Sequence, residues 1–435
     1  AQLRAAEQKV DDVNALMRQF IEKYPKDDKV FFAYDSIAQN AVNTAKPDEA
    51  TATYLEFVEK YGDNAKAADA LVKVSALQRG KAESLATNYS SLDTDTQAKW
   101  KDAVQESLST IEQLLAKYPE SADLASGLQS LLTSQEMLVR AQIKEPAAVE
   151  SYFAELASKA SSPAAKSKIL FTEAAFVSKT DKPRALAKMN EAYNAEVVYS
   201  PADIDIYGLA LLDDKKPDEA AAVFQKLAKD YPIPPGTPYN QAPTIVQEAQ
   251  ATILFGQGRV AQEKKQTAEA GKLFQQLKAL YPWSPKVLEA DYGIAEALRT
   301  EGKPDDAQVL LTGIIRAPNA TADLRANSFL LLGNMMQDKM KATADPKEST
   351  KFRDAAIDSF LKIAQFYGGV PEAASEGLWQ GAQLLETQVA ESTDAKFKAQ
   401  QTKRAREAYQ QLVKDYPASP LVAKAKDRLS ALGTP

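Results

Sequence analysis

The chain has 435 residues, 45% hydrophobic and 26% charged, with 53 basic and 59 acidic residues giving a net charge of −6. That is the composition of a folded chain, and its interleaved charges contain no basic run of the kind a nucleic-acid tail needs. There is no cysteine and no histidine, which removes disulfides, thiolate catalysis, cysteine-based zinc sites and the commonest general base together. Mean hydropathy is −0.37, and no apolar run is long enough to span a bilayer.

Taken in chain order, residues 1–28 are predicted to form an N-terminal helix and cap that closes at Tyr24-Pro25. Helix pairs follow over 29–231, and then a proline-rich loop, PIPPGTPYNQAPT, at 232–244. More pairs fill 245–417, and 418–435 is a capping helix. We expect these segments to form one continuous array over 1–435.

A single frame generates the pairs. Tyr24, Tyr61, Tyr118, Tyr231, Tyr281, Tyr367 and Tyr416 each end a helical stretch, followed by proline in five cases and by Gly62 or Gly368 in two. Seven residues before these anchors stand Met17, Tyr54, Ile111, Phe224, Phe274, Phe360 and Tyr409. Four before stand Phe20, Phe57, Leu114, Leu227, Leu277, Ile363 and Leu412. All are apolar or aromatic, and the spacing places them on one stripe of a helix. Eleven before the anchor, alanine recurs at 50, 220, 270, 356 and 405, and Val13 and Ser107 depart from it. A second small residue follows nine after the anchor, at Ala33, Ala70, Gly127, Ala290 and Ala425, in the next helix.

Within each pair the turn reads Lys-Pro-Asp-Glu-Ala at 46–50 and 216–220, and Lys-Pro-Asp-Asp-Ala at 303–307. Proline at the first helical position and acids in the first turn suit a helix N-terminus. Degenerate units run through Tyr199-Ser200-Pro201, through Leu311, Ile314 and Pro318, and from Ala147 to Phe176. Insertions at 81–103, 232–244, 341–351 and 390–402 lengthen the frame.

This pattern of a small residue, an aromatic four later, an apolar residue three further on and a terminal proline resembles the tetratricopeptide repeat. Ala220, Phe224, Leu227 and Pro232 carry the likeness, as do Ala270, Phe274, Leu277 and Pro282, and Ala405, Tyr409, Leu412 and Pro417. It extends over most of residues 10–432. The resemblance implies an all-α, right-handed α-solenoid whose first helices line an inner face and whose second helices lie outside. Stacked units of this kind share one core and expose a long binding surface.

Helices ending in Lys-Tyr-Pro or Asp-Tyr-Pro are similar to those of bacterial cell-envelope proteins of this class, such as the Tol-Pal-associated periplasmic family and the lipoprotein of the outer-membrane barrel assembly machine. Two departures stand out: there is no N-terminal cysteine to lipidate, and residues 1–23 are too short for a long trimerising coiled coil. Only class and compartment are implied. We therefore expect a non-enzymatic interaction scaffold of the envelope, periplasmic or exported with a leader removed before Ala1. It would bind a partner protein or complex, with no nucleic acid and no membrane span of its own. A cytoplasmic location and a groove module for an extended peptide, glycan or small ligand are the alternatives.

No cofactor, metal or catalytic site is expected. Gly256-Gln257-Gly258-Arg259-Val260-Ala261 spells a dinucleotide fingerprint but falls inside a predicted first helix, where small residues serve packing. Asp93 and Asp95 lack the glycine and closing glutamate of a calcium loop. Asn88-Tyr89-Ser90 and Asn319-Ala320-Thr321 are glycosylation sequons by letters alone. The binding candidates are residues one or two after the early small residue of a first helix, namely Tyr34, Asp291 and Tyr292.

Overall fold

The computed structural model describes residues 2–85 and 88–433. Ala1, residues 86–87 of the first insertion, and residues 434–435 of the C-terminal cap lie outside the described residues. The described chain holds 20 α-helices and no strand. It divides into two compact units, Ala1–Leu211 and Leu212–Pro435.

The first unit contains α1 (Gln2–Lys23), α2 (Val30–Asn43), α3 (Pro47–Lys60), α4 (Ala67–Leu85) and α5 (Thr94–Lys117). It continues with α6 (Leu124–Arg140), α7 (Pro146–Ser158), α8 (Pro163–Val177), α9 (Lys182–Ala192) and most of α10 (Pro201–Asp213). The second holds α11 (Pro217–Asp230), α12 (Thr244–Glu263), α13 (Thr267–Leu280), α14 (Val287–Thr300) and α15 (Pro304–Arg316). After these come α16 (Ala322–Ala342), α17 (Pro346–Phe366), α18 (Pro371–Glu391), α19 (Ala395–Asp415) and α20 (Val422–Ala431). The even-numbered helices from α2 are the first helices of the repeats, and the odd-numbered ones from α3 are the second helices.

Each unit is an α-solenoid. Most helices pack on their chain neighbours, and first helices also touch the next first helix, as α4 does α6, α6 does α8, α12 does α14, and α16 does α18. The insertions at 341–351 and 390–402 lengthen α16 to α19, leaving only short turns between them. The loop after Pro232 carries one 3-10 turn at Tyr239–Gln241, and the Tyr239 ring stands edge-on to Tyr281 at 5.9 Å.

The Lys-Pro turns have a common geometry. The residue before the lysine sits in left-handed backbone at Ala45 (φ 58°), Lys215 (φ 62°) and Gly302 (φ 76°), which only glycine adopts without steric cost. Backbone bonds from Lys46 to the Ala41 carbonyl and from Lys303 to the Leu298 carbonyl, both 2.8 Å, close the preceding helix there. Proline then opens the second helix.

The aspartate of each turn is met by a lysine of the following first helix or the turn that ends it. Lys81 reaches Asp48 at 3.0 Å, Lys264 reaches Asp218 at 2.6 Å, and Lys339 reaches Asp305 at 2.7 Å. These aspartates are exposed, so the pairs fix register more than they add stability.

From α3 onward the stripe residues are core; Met17 and Phe20 of α1 are only partly buried. Phe57, Leu114, Phe224, Phe274, Phe360, Tyr409 and Leu412 are completely buried. In the second unit the stripe phenylalanines of α11, α13 and α17 sit against glycine. A Cβ added at Gly256 would stand 2.3 Å from the Phe224 ring. One at Gly258 would stand 2.5 Å from the Phe274 ring, one at Gly293 2.3 Å from the same ring, and one at Gly333 2.4 Å from the Phe360 ring. The Gly256-Gln257-Gly258 run is therefore a pair of aromatic seats.

The anchor tyrosine has a partner of its own. Tyr118 Oη donates to the Gly62 carbonyl at 2.8 Å, and Tyr416 Oη to the Gly368 carbonyl at 3.2 Å. Each reaches back to the corner that closes an earlier repeat.

Gly293→Ala is expected to destabilise the protein by about 1–3 kcal/mol, because the Phe274 ring has no room to move away. Gly80→Ala is the control. That glycine lies inside α4 with no atom within 4 Å of a would-be Cβ, so alanine should be neutral or stabilise by up to about 1 kcal/mol. Denaturant unfolding of the two variants checks both signs.

Candidate functional site

First helices of the second unit enclose a cleft of about 690 Å³. Its walls come from Arg259, Gln262 and Glu263 of α12, from Tyr292, Glu296 and Arg299 of α14, and from Asp338 of α16. These positions recur at intervals of three and four, so each helix gives the cleft a single face. That face is offset from the stripe on which Gly258 and Gly293 receive Phe274. Packing and lining thus use different sides of the same helices.

Most of the polar lining is bound to itself. Gln262 Nε2 donates to Glu296 Oε2 at 2.6 Å, tying α12 to α14. Arg299 Nε and Nη2 both donate to Asp338 Oδ2, at 2.9 and 2.7 Å, tying α14 to α16. Lys215 pairs with Glu263 at 2.9 Å. Farther along the first-helix layer, Gln337 Nε2 donates to Gln380 Oε1 at 3.3 Å, between α16 and α18. Arg259 is different. Its half-buried guanidinium lines the cleft and forms no ion pair or side-chain hydrogen bond among the described residues.

Burial sets the electrostatics here. It raises the Glu296 carboxyl above the usual glutamate range, against the opposing pull of Arg259, the Gln262 hydrogen bond and Arg299. Burial and the nearby Glu296 likewise push the Tyr292 phenol up, while Arg259 and Arg299 act the other way. Among the described residues no group of three or more carboxylates is placed to hold a metal ion. No helix among them is long and apolar enough to cross a membrane.

The three residues singled out from sequence fall in different places. Tyr292 lines the cleft. Asp291, one position earlier, turns to α13 and accepts from Lys278 Nζ at 2.6 Å. Tyr34 is a correction: it is fully buried and belongs to the core. Its ring lies against Phe57 and Tyr61, at 5.4 and 5.9 Å, and its hydroxyl donates to Glu56 at 2.9 Å. The position directly after the small residue faces the second helix; the position after that reaches the open face.

Arg259 was legible as part of a glycine-rich run but not as a lining residue. Its signal is its offset from the two glycines that precede it, Gly256 and Gly258. Asp93, by contrast, is the N-cap of α5, accepting from the Thr96 amide at 2.9 Å.

Residues 206–232, 253–282 and 393–419 match the tetratricopeptide repeat family. Those three stretches carry the tetratricopeptide repeat. No curated protein sequence matches it. Among solved structures it is similar to a tetratricopeptide repeat protein from Parabacteroides merdae, with 13% identity, 79% of this chain and 97% of that chain covered, and a TM-score of 0.33. It is also similar to the human IFIT1 dimer with m7Gppp-AAAA, with 11% identity, 98% and 95% covered, and a TM-score of 0.43.

Glu296→Gln removes the titration and keeps an acceptor for Gln262. A carboxyl raised in the folded state binds its proton more tightly there than in the unfolded chain. Wild-type stability therefore falls as pH rises from the ordinary glutamate value, 4.5, through the raised one. Melting temperatures should coincide near about pH 4 and separate by about pH 7, with the glutamine variant higher.

Proposed function

We propose that this protein is a non-enzymatic interaction scaffold that holds a protein partner on the face made by its first helices, at the cleft around Arg259. The inter-repeat loops extend that surface. Arg259 is the observation that carries the reading. A half-buried cation with no partner of its own is a poor contributor to folding and a ready contributor to binding. Its neighbours Lys215, Arg299, Glu263 and Asp338 are already paired, so they give the cleft a fixed shape and leave Arg259, with the exposed Lys265 at the edge, to be answered.

Tetratricopeptide repeats generally act in protein–protein interaction, and three stretches here match that family. A polypeptide fits this lining better than a glycan or small molecule does, because small-ligand pockets are mostly apolar and this one is lined mostly by charged and polar side chains. Catalysis has little support. Glu296 is the carboxyl in the cleft that burial raises above the usual glutamate range, and neither a histidine nor a cysteine exists in the chain to act with it. We assign the protein to the bacterial cell envelope, in the periplasm or exported, with an envelope or membrane-associated complex as partner. A cysteine-free chain suits an oxidising compartment.

Native purification followed by mass spectrometry tests the proposal, comparing wild type with Arg259→Ala. A protein retained by wild type and at least about tenfold depleted in the variant, with melting temperature unchanged, is the expected outcome. Equal retention by both would contradict the role of the cleft. Fractionation that finds the chain only in cytoplasm would contradict the compartment.

A further inference from the structure

Two repeats lack the anchor tyrosine, and the structure treats them differently. In α15 the stripe residues Leu311 and Ile314 put Pro318 at the anchor position. There Arg325 of α16 donates through Nη2 to the Ala317 carbonyl at 2.5 Å and to the Pro318 carbonyl at 3.3 Å, so a side chain from the next helix occupies the corner. In α7 the buried stripe is Val149 and Phe153, with Leu156 next. That register puts Ala160 where intact repeats carry tyrosine.

Nothing comparable to Arg325 covers Ala160 among the described residues. A cleft of about 480 Å³ opens there instead. Its floor is apolar: Leu115 of α5, Leu156 of α7, Ala160 just beyond it, and Ala165 and Ile169 of α8. The polar rim is satisfied internally. Tyr152 Oη donates to Glu112 at 2.7 Å, and Lys159 pairs with Glu155 at 2.5 Å. These polar side chains of the rim already have hydrogen-bond or ion-pair partners, so the apolar floor is the surface left for a ligand.

We infer that this cleft receives a tyrosine side chain from a partner polypeptide, which completes the degenerate repeat in place of its own missing anchor. The repeat itself identifies the occupant. Seven other corners of this chain fill the equivalent position with tyrosine, and two of those hydroxyls end on the carbonyl of an earlier corner. A phenol brings a large apolar face and a polar tip that can use such a carbonyl. An aliphatic side chain supplies neither the ring nor the tip. This site lies in the first unit and is separate from the Arg259 cleft.

The test uses methyl NMR of the full chain titrated with N-acetyl-tyrosinamide, N-acetyl-leucinamide and N-acetyl-alaninamide, alongside the variant Ala160→Tyr. Saturable shifts at the Leu115, Leu156 and Ile169 methyls are expected with the tyrosine compound. Binding of the leucine compound should be at least about tenfold weaker. In Ala160→Tyr the new side chain should fill the cleft from within, raising the melting temperature and removing the response. Absence of saturable shifts in wild type would overturn the inference. So would equal binding of the leucine compound, or an Ala160→Tyr variant that folds and still responds. If that variant fails to fold, the wild-type titration alone decides.

Discussion

The Phe274 ring is held between Gly258 of one first helix and Gly293 of the next, so close that neither position has room for a methyl group. The other features of the second unit depend on this contact. Protein interiors are packed near crystal density, and a ring that fits against two backbones fixes their separation more tightly than flexible aliphatic side chains would. One side of this arrangement, a ring seated on a single glycine, recurs where Phe224 meets Gly256 and Phe360 meets Gly333. Repeated, it sets the pitch at which first helices follow one another, and that pitch places Arg259, Tyr292, Glu296 and Arg299 around one cleft.

Function is then left to the residues that do not set spacing. The shared positions are spent on burial: the alanines at 50, 220, 270, 356 and 405 are fully enclosed. On the open face, cross-helix links hold the first helices in place, Gln262 to Glu296 and Arg299 to Asp338. Arg259 stands out because, half-buried in the cleft, it forms no ion pair or side-chain hydrogen bond among the described residues, while Glu263, Arg299 and Asp338 are already paired. The two degenerate repeats show the same logic from the other side. Where the anchor is lost, either another side chain takes over, as Arg325 does, or a cleft remains, as at Ala160.

Much of this was legible in the sequence because the repeat writes its packing with a fixed period. The anchors, the stripe and the Lys-Pro turns all land where the spacing puts them, and the glycine run at 256–258 serves packing. What could not be read was direction. Tyr34 and Tyr292 are one and two positions past a small residue, and about 100° of helical rotation separates a core ring from a cleft wall. Contacts between distant residues were equally hidden. The lysine that answers Asp218 comes from Lys264, across a whole helix and the proline-rich loop, and no local pattern marks it. The cleft at Ala160 was invisible for a related reason: an alanine among alanines signals nothing until the register of α7 is known.

The central claim is that a second-helix aromatic couples the two first helices that flank it. Amide hydrogen exchange on Phe274→Leu measures this directly, because that substitution keeps an apolar side chain and removes the ring that touches both glycines. Protection should fall together in α12, α13 and α14 and by similar amounts, since one seat serves all three. Loss confined to α13, with α12 and α14 protected as in the wild type, would contradict the claim.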